Sequence, residues 1–239
     1  MINRAIRFYA VGGVLVFGAA LASSVSMAAV ISASVGGAPD SAIFYENFDS
    51  LAATGGATTN GITVTFSGTG AGTASLPDAP GQYAAPFISG NNGMLFGNSQ
   101  ADGPDKTQYL TTGIGQVTLQ LNAYHQYFGL LWGSVDDYNT LSFYDGNTFL
   151  FNFTGLDVSS LANGNQGVGG TFYVNINSSD AFNRVVASST GYAFEFDNVA
   201  LANDPISLPI HGEVPEPGTL TLLGLGLFAW VTARRRRTG

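Results

Sequence analysis

Val117-Thr-Leu-Gln-Leu-Asn-Ala123 alternates apolar and polar residues at every step, and Phe172-Tyr-Val-Asn-Ile-Asn177 does the same further along. Successive side chains of a strand point to opposite faces, so period two with one apolar face marks a half-buried strand. The same rule puts Ile62, Val64 and Phe66 on one face against Thr63, Thr65 and Ser67, and groups Phe149, Phe151 and Phe153 on another. Segments 43–48, 127–132, 140–144, 184–187 and 192–201 complete a set of nine or ten short strands. Asp145-Gly146 between two such runs is a hairpin turn signal. No stretch before Thr219 carries a helical period. Many short strands joined by Gly-rich turns predict an all-β fold: a single antiparallel β-sandwich, jelly-roll and lectin-like, over 41–202. In the last strand the apolar face runs Phe194, Phe196, then Val199, Leu201. That slip predicts a β-bulge at Asp197-Asn198, turning the Asp197 side chain toward a rim.

Charge sharpens the picture. The 239 residues hold 16 acidic and 8 basic side chains and no cysteine. Arg4, Arg7 and the run Arg234, Arg235, Arg236, Arg237 sit at the two ends. Across the body, residues 29–213, fifteen carboxylates face only Lys106 and Arg184, a net charge of −13. A surface so poor in cations cannot neutralise a phosphate backbone, which excludes nucleic acid as a partner. Disulfides, thiolate metal sites and a cysteine nucleophile are excluded as well.

Both termini read as membrane-targeting signals. Arg4 and Arg7 precede an apolar run from Phe8 to about Ala22, followed by Ser26-Met27-Ala28 with small residues at the −3 and −1 positions. This is a signal peptide over 1–28, a substrate of the secretion and signal-peptidase machinery. A flexible segment over 29–40 leads into the domain, and a polar linker over 203–213, interrupted by Pro205 and Pro209, leads out. Pro215-Glu216-Pro217 then precedes an apolar transmembrane helix over 219–233 and the arginine cluster 234–237. The arginines should stay cytoplasmic under the positive-inside rule, leaving the domain on the far side of the membrane. The two prolines hold the backbone extended and accessible to a processing enzyme.

This ordered tail, 214–239, resembles the PEP-CTERM sorting signal of Gram-negative bacteria, on Pro215, Glu216, Pro217, the apolar run and Arg234 to Arg237. The resemblance implies an exosortase-type partner, a transpeptidase-like membrane enzyme that cuts at the motif. It also implies delivery to the cell envelope, cell surface or extracellular matrix. Tyr45 to Asp49, Phe128 to Tyr144 and Ala193 to Val199 resemble the ectodomains of such exosortase-dependent surface proteins, which implies a lectin-like sandwich and supplies no catalytic residues.

Candidate chemistry is sparse, and no enzymatic activity is expected. Glu195-Phe-Asp197 offers alternate carboxylates, as glycosidases use, but a laminarinase-type Glu-x-Asp-x-x-Glu pattern fails at Ala200. His125 and His211 are too few for a metal trio, and no Gly-x-Ser-x-Gly elbow exists. Calcium is the one cofactor the acidic body suits, through Asp49 with Asp197 if the terminal strands pair, or through Asp136, Asp137 and Asn139. Tyr138 and Tyr144 are the rim aromatics on which a polysaccharide could stack, with Trp132 assigned to the core.

Overall fold

The computed structural model describes residues 31–40 and 44–208; the expected signal peptide over 1–28 and the sorting tail, with the expected transmembrane helix over 219–233, lie outside the described residues. In chain order the strands are β1 (Ile31–Gly36), β2 (Phe44–Glu46), β3 (Gly56–Ala57), β4 (Thr63–Gly68), β5 (Gly72–Ala74), β6 (Phe87–Ile88) and β7 (Gly103–Pro104). They continue with β8 (Tyr109–Thr112), β9 (Gly115–Gly133), β10 (Asn139–Asp145), β11 (Thr148–Thr154), β12 (Phe172–Ser189) and β13 (Phe194–Ala202). One four-residue helix, α1 (Gly155–Val158), and a 3₁₀ turn at Met94–Phe96 are the helical elements among the described residues. The fold is therefore all-β and its pairings are antiparallel. No helix among the described residues is long and apolar enough to cross a membrane.

Two strands organise the sheet. The sequence suggests separate short strands at 117–123 and 127–132, and again at 172–177 and 184–187. Instead each pair is one continuous strand, β9 of 19 residues and β12 of 18. They pair with each other from Gly115 opposite Ser189 to Trp132 opposite Phe172. Midway, register shifts fall between Asn177 and Phe182 and between Phe182 and Arg184. The core-facing residues change parity across this corner, from Val117, Leu119 and Leu121 to Phe128, Leu130 and Trp132, all within one buried cluster. Extra residues bend a strand and re-aim its side chains, so both limbs enclose the same core. On β9's first limb sits β4, on its second β13; β12 carries β1 on one limb and β10 on the other.

The second limb is buried on both faces. Tyr127, Leu131, Tyr173, Ala200 and Ala202 form a separate cluster with Ile88 and Phe96 from the 84–108 segment, which roofs this side of the sheet. Asn175 is fully buried where an outward polar residue was expected, and its side chain accepts from the Tyr127 hydroxyl at 2.8 Å. Phe149 also departs from expectation. A register shift between Phe143 and Tyr144 leaves it 53% exposed against Tyr144, while Phe151 stacks on Phe143 in the core. The 29–40 segment, expected to be flexible, supplies β1, because Ile31 to Gly36 find open hydrogen-bonding groups along β12. The described part of the exit linker is pinned as well, Asn177 bonding both the amide and the carbonyl of Ile206.

Trp132 is fully buried and stacks on Phe194 at 4.3 Å, and its indole N–H has no acceptor. Trp132→Ala should cost about 3–5 kcal/mol in urea unfolding, whereas Trp132→Phe, which keeps a ring and removes the orphan donor, should cost less than about 1.5 kcal/mol.

Candidate functional site

At the end of β13 that begins with Phe194, the chain builds a cleft of about 210 Å³ lined by Tyr83, Ser134, Asp136, Tyr138, Tyr192 and Glu195 among others. Glu195 projects from β13 on the face away from the main core and is 2% exposed. The Ala84 amide donates to its Oε1 at 2.8 Å, and the Ser134 hydroxyl donates to its Oε2. Burial, the dominant influence, lifts its pKa to about 7 against these two stabilising bonds. Asp136 follows β9 directly, and its Oδ2 lies 2.6 Å from the Tyr138 hydroxyl, which is also 2.6 Å from the Tyr192 carbonyl oxygen. One proton serves two acceptors, so Tyr138 donates to one at a time. Burial also raises the pKa of Asp136. Glycine makes the room: a Cβ on Gly164, whose φ is +70°, would meet Asp136 Oδ2 at 2.8 Å. The arrangement offers aromatic edges and polar groups side by side, the combination that grips a polyhydroxylated ligand.

A second acidic group lies further along β13. The expected bulge forms, with a register shift between Asp197 and Ala200 and Asn198 at φ 53°. Its consequence differs from expectation: Asp197 is fully buried rather than turned to a rim, because the 84–108 roof covers that face. Asp49 and Asp197 do come within electrostatic reach, since β2 pairs with β13. The residue between them is Asp105, which contributes to the raised pKa of both. Nothing in the local sequence marks Asp105, whose partners come from the roof's own loop.

The other proposed groupings separate. Asp137 is exposed, while Asn139 is fully buried and tied to the Ala193 carbonyl and the Ser189 hydroxyl, so neither converges with Asp136. Tyr144 does not join Tyr138 at the cleft. It lies at the far end of β10, with the Arg184 guanidinium 4.3 Å above its ring. Ser134, Tyr192 and Glu195 were not expected at a cleft. Only Glu195 left a trace, as one of two carboxylates alternating with phenylalanine at the start of the last strand.

The sorting residues Pro215, Glu216, Pro217 and Arg234 to Arg237 lie outside the described residues. Comparison with known families settles their nature. Residues 213–237 match the PEP-CTERM protein-sorting motif. The PEP-CTERM motif marks the chain for export to the cell envelope or surface and for exosortase-type processing. It takes in 25 of 239 residues, so it speaks to sorting and leaves the chemistry of the domain to the geometry. No curated protein and no solved structure matches the chain.

Between pH 4.5 and about 7 the folded protein holds a proton on Glu195 that the unfolded chain has lost. The stability this group contributes therefore falls as pH rises through that window, by about 3 kcal/mol. Glu195→Gln keeps the Ala84 bond through its carbonyl oxygen, reverses the Ser134 bond by donating from its amide nitrogen, and removes the titration. Relative to wild type the variant should gain thermal stability from pH 5 to pH 8; a Tm difference independent of pH would refute the assignment.

Proposed function

We propose that the chain is an exported surface or extracellular-matrix protein, processed by an exosortase-type enzyme, whose ectodomain is a non-catalytic, lectin-like β-sandwich of the jelly-roll class. The match at residues 213–237 carries this reading. Arg4, Arg7 and the Ser26-Met27-Ala28 site support it, because a signal peptide and a sorting tail together describe one route across the membrane. The apolar run 219–233 with Arg234 to Arg237 holds the chain in the membrane, arginines in the cytoplasm, while the Pro-Glu-Pro segment is presented outside.

The absence of catalysis is argued from the carboxylates. Asp197 is fully buried, and both oxygens of Glu195 are engaged by Ser134 and Ala84. A general acid must reach the leaving oxygen of its substrate, and neither group is placed to do so.

A second reading, favoured by the cleft, adds glycan binding at the cell surface. Tyr138, Tyr192 and Tyr83 would supply ring surface, with Asp136, Gln82 and Asn163 fixing hydroxyls.

Changing Pro215, Glu216 and Pro217 together to Ala should leave unprocessed full-length protein in the membrane fraction, with loss from the surface and medium on immunoblots of cell fractions. Unchanged processing would sink the sorting assignment. For the cleft, Tyr192→Ala should weaken binding to matrix polysaccharide roughly tenfold, the scale of one stacked ring. Release of reducing sugar by the wild-type protein would contradict the non-catalytic reading.

A further inference from the structure

The carboxylates beneath the 84–108 roof are not satisfied as the other buried acids are. Glu46 accepts from the Phe48 amide at 3.0 Å through one oxygen and from Asn60 at 3.2 Å through the other. Glu195 likewise uses both oxygens. Asp105 is fully buried and loads a single oxygen, Oδ1, with three donors: Asn98 Nδ2 at 2.8 Å, Thr107 N at 2.9 Å and Thr107 Oγ1 at 2.7 Å. Its Oδ2 has no partner. Asp197, also fully buried, has none on either oxygen, and the adjoining Asn198 Oδ1 is bare too, while its Nδ2 donates to the Asn92 carbonyl at 2.8 Å. The Asn198 amide lies near enough to Asp197 to lower its pKa without forming a well-aligned bond.

Four buried acceptor oxygens on three residues thus lack a donor. Such oxygens are costly to bury unless a donor, a shared proton or a cation meets them. The lysine and arginine among the described residues do not. Lys106 is exposed, and Arg184 is stacked on Tyr144 in a different part of the sheet. With Asp105 Oδ2 and both Asp197 oxygens bare, the pair holds either a shared proton or a cation. Three donors sit on Asp105 Oδ1, and Oδ2 is left bare.

We propose that Asp105 and Asp197, with Asn198 Oδ1, bind one calcium ion that clamps the roof to the bulge of β13. Among the described residues no three acidic or histidine side chains converge to hold a metal unaided. The remaining ligands are therefore amide, carbonyl and water oxygens. Calcium accepts that mixture in an irregular loop, whereas magnesium demands a near-ideal octahedron and transition metals prefer nitrogen or sulfur.

The test uses the full chain in detergent, stripped with chelator and titrated with CaCl₂ or MgCl₂. Calorimetry should report one calcium per chain, and Tm should rise by about 5–10 °C once calcium reaches a hundred times its dissociation constant, with magnesium far less effective. Asp197→Asn and Asp105→Asn should abolish the calcium-dependent rise, and Asp137→Asn, on the exposed surface, should keep it. If a variant fails to fold, the wild-type stoichiometry still decides. No bound calcium, or a calcium response retained by Asp197→Asn, overturns the site. A calcium-independent gain in stability from Asp197→Asn, with no calcium bound by wild type, identifies a shared proton in its place.

Discussion

The pairing of β9 with β12 is the constraint on which the rest of the domain depends. Both strands are far longer than their neighbours, at 19 and 18 residues, and change register at the same corner, Phe182 lying opposite His125. The shift is needed because period-two alternation cannot keep one face on the core when a strand turns through a bend. Once the two are aligned, each remaining large strand has a place: β4 and β13 on β9, β1 and β10 on β12. The aromatic core follows from this alignment, Phe128, Phe143 and Phe182 meeting edge to face where the two limbs converge.

Upon that frame an acidic chain must bury several carboxylates. It handles them in two ways. In the cleft, burial raises the pKa of Glu195 to about 7 while donors from Ser134 and Ala84 meet both of its oxygens, a local solution needing no ion. Beneath the roof, donors are concentrated on one oxygen of Asp105 and withheld from Asp197. The same strand, β13, thus carries a proton-satisfied acid and an unsatisfied one two residues apart, distinguished by the loops that pack over them.

Strand identity was legible because apolar alternation is a local property, and the bulge at Asp197 was legible because it is a slip in that alternation. The union of short strands into β9 and β12 was not, since Asn122 to Gln126 and Ser178 to Asp180 break the pattern where the sheet turns. The roof was invisible for a related reason. Its strands β6 and β7 are two residues each, and its covering role depends on Ile88 and Phe96 finding Tyr127 and Tyr173 across the sheet. Without the roof Asp197 would indeed have reached solvent, so the error in its burial and the omission of Asp105 share one cause. The sorting tail needed no tertiary information, being a linear motif read by its order.

The two described ends of the domain leave from one corner. Ile31 pairs with Ser178, and the neighbouring Asn177 holds Ile206. Glu195 lies at the other end of β13 from Ala202, roughly 23 Å away at about 3.3 Å per residue. Tension applied through either end therefore enters at the same point and is shared between β1 and the Asn177 to Ile206 bonds. A domain held from that corner presents its tyrosine-lined cleft from the opposite end of β13, away from whatever holds it.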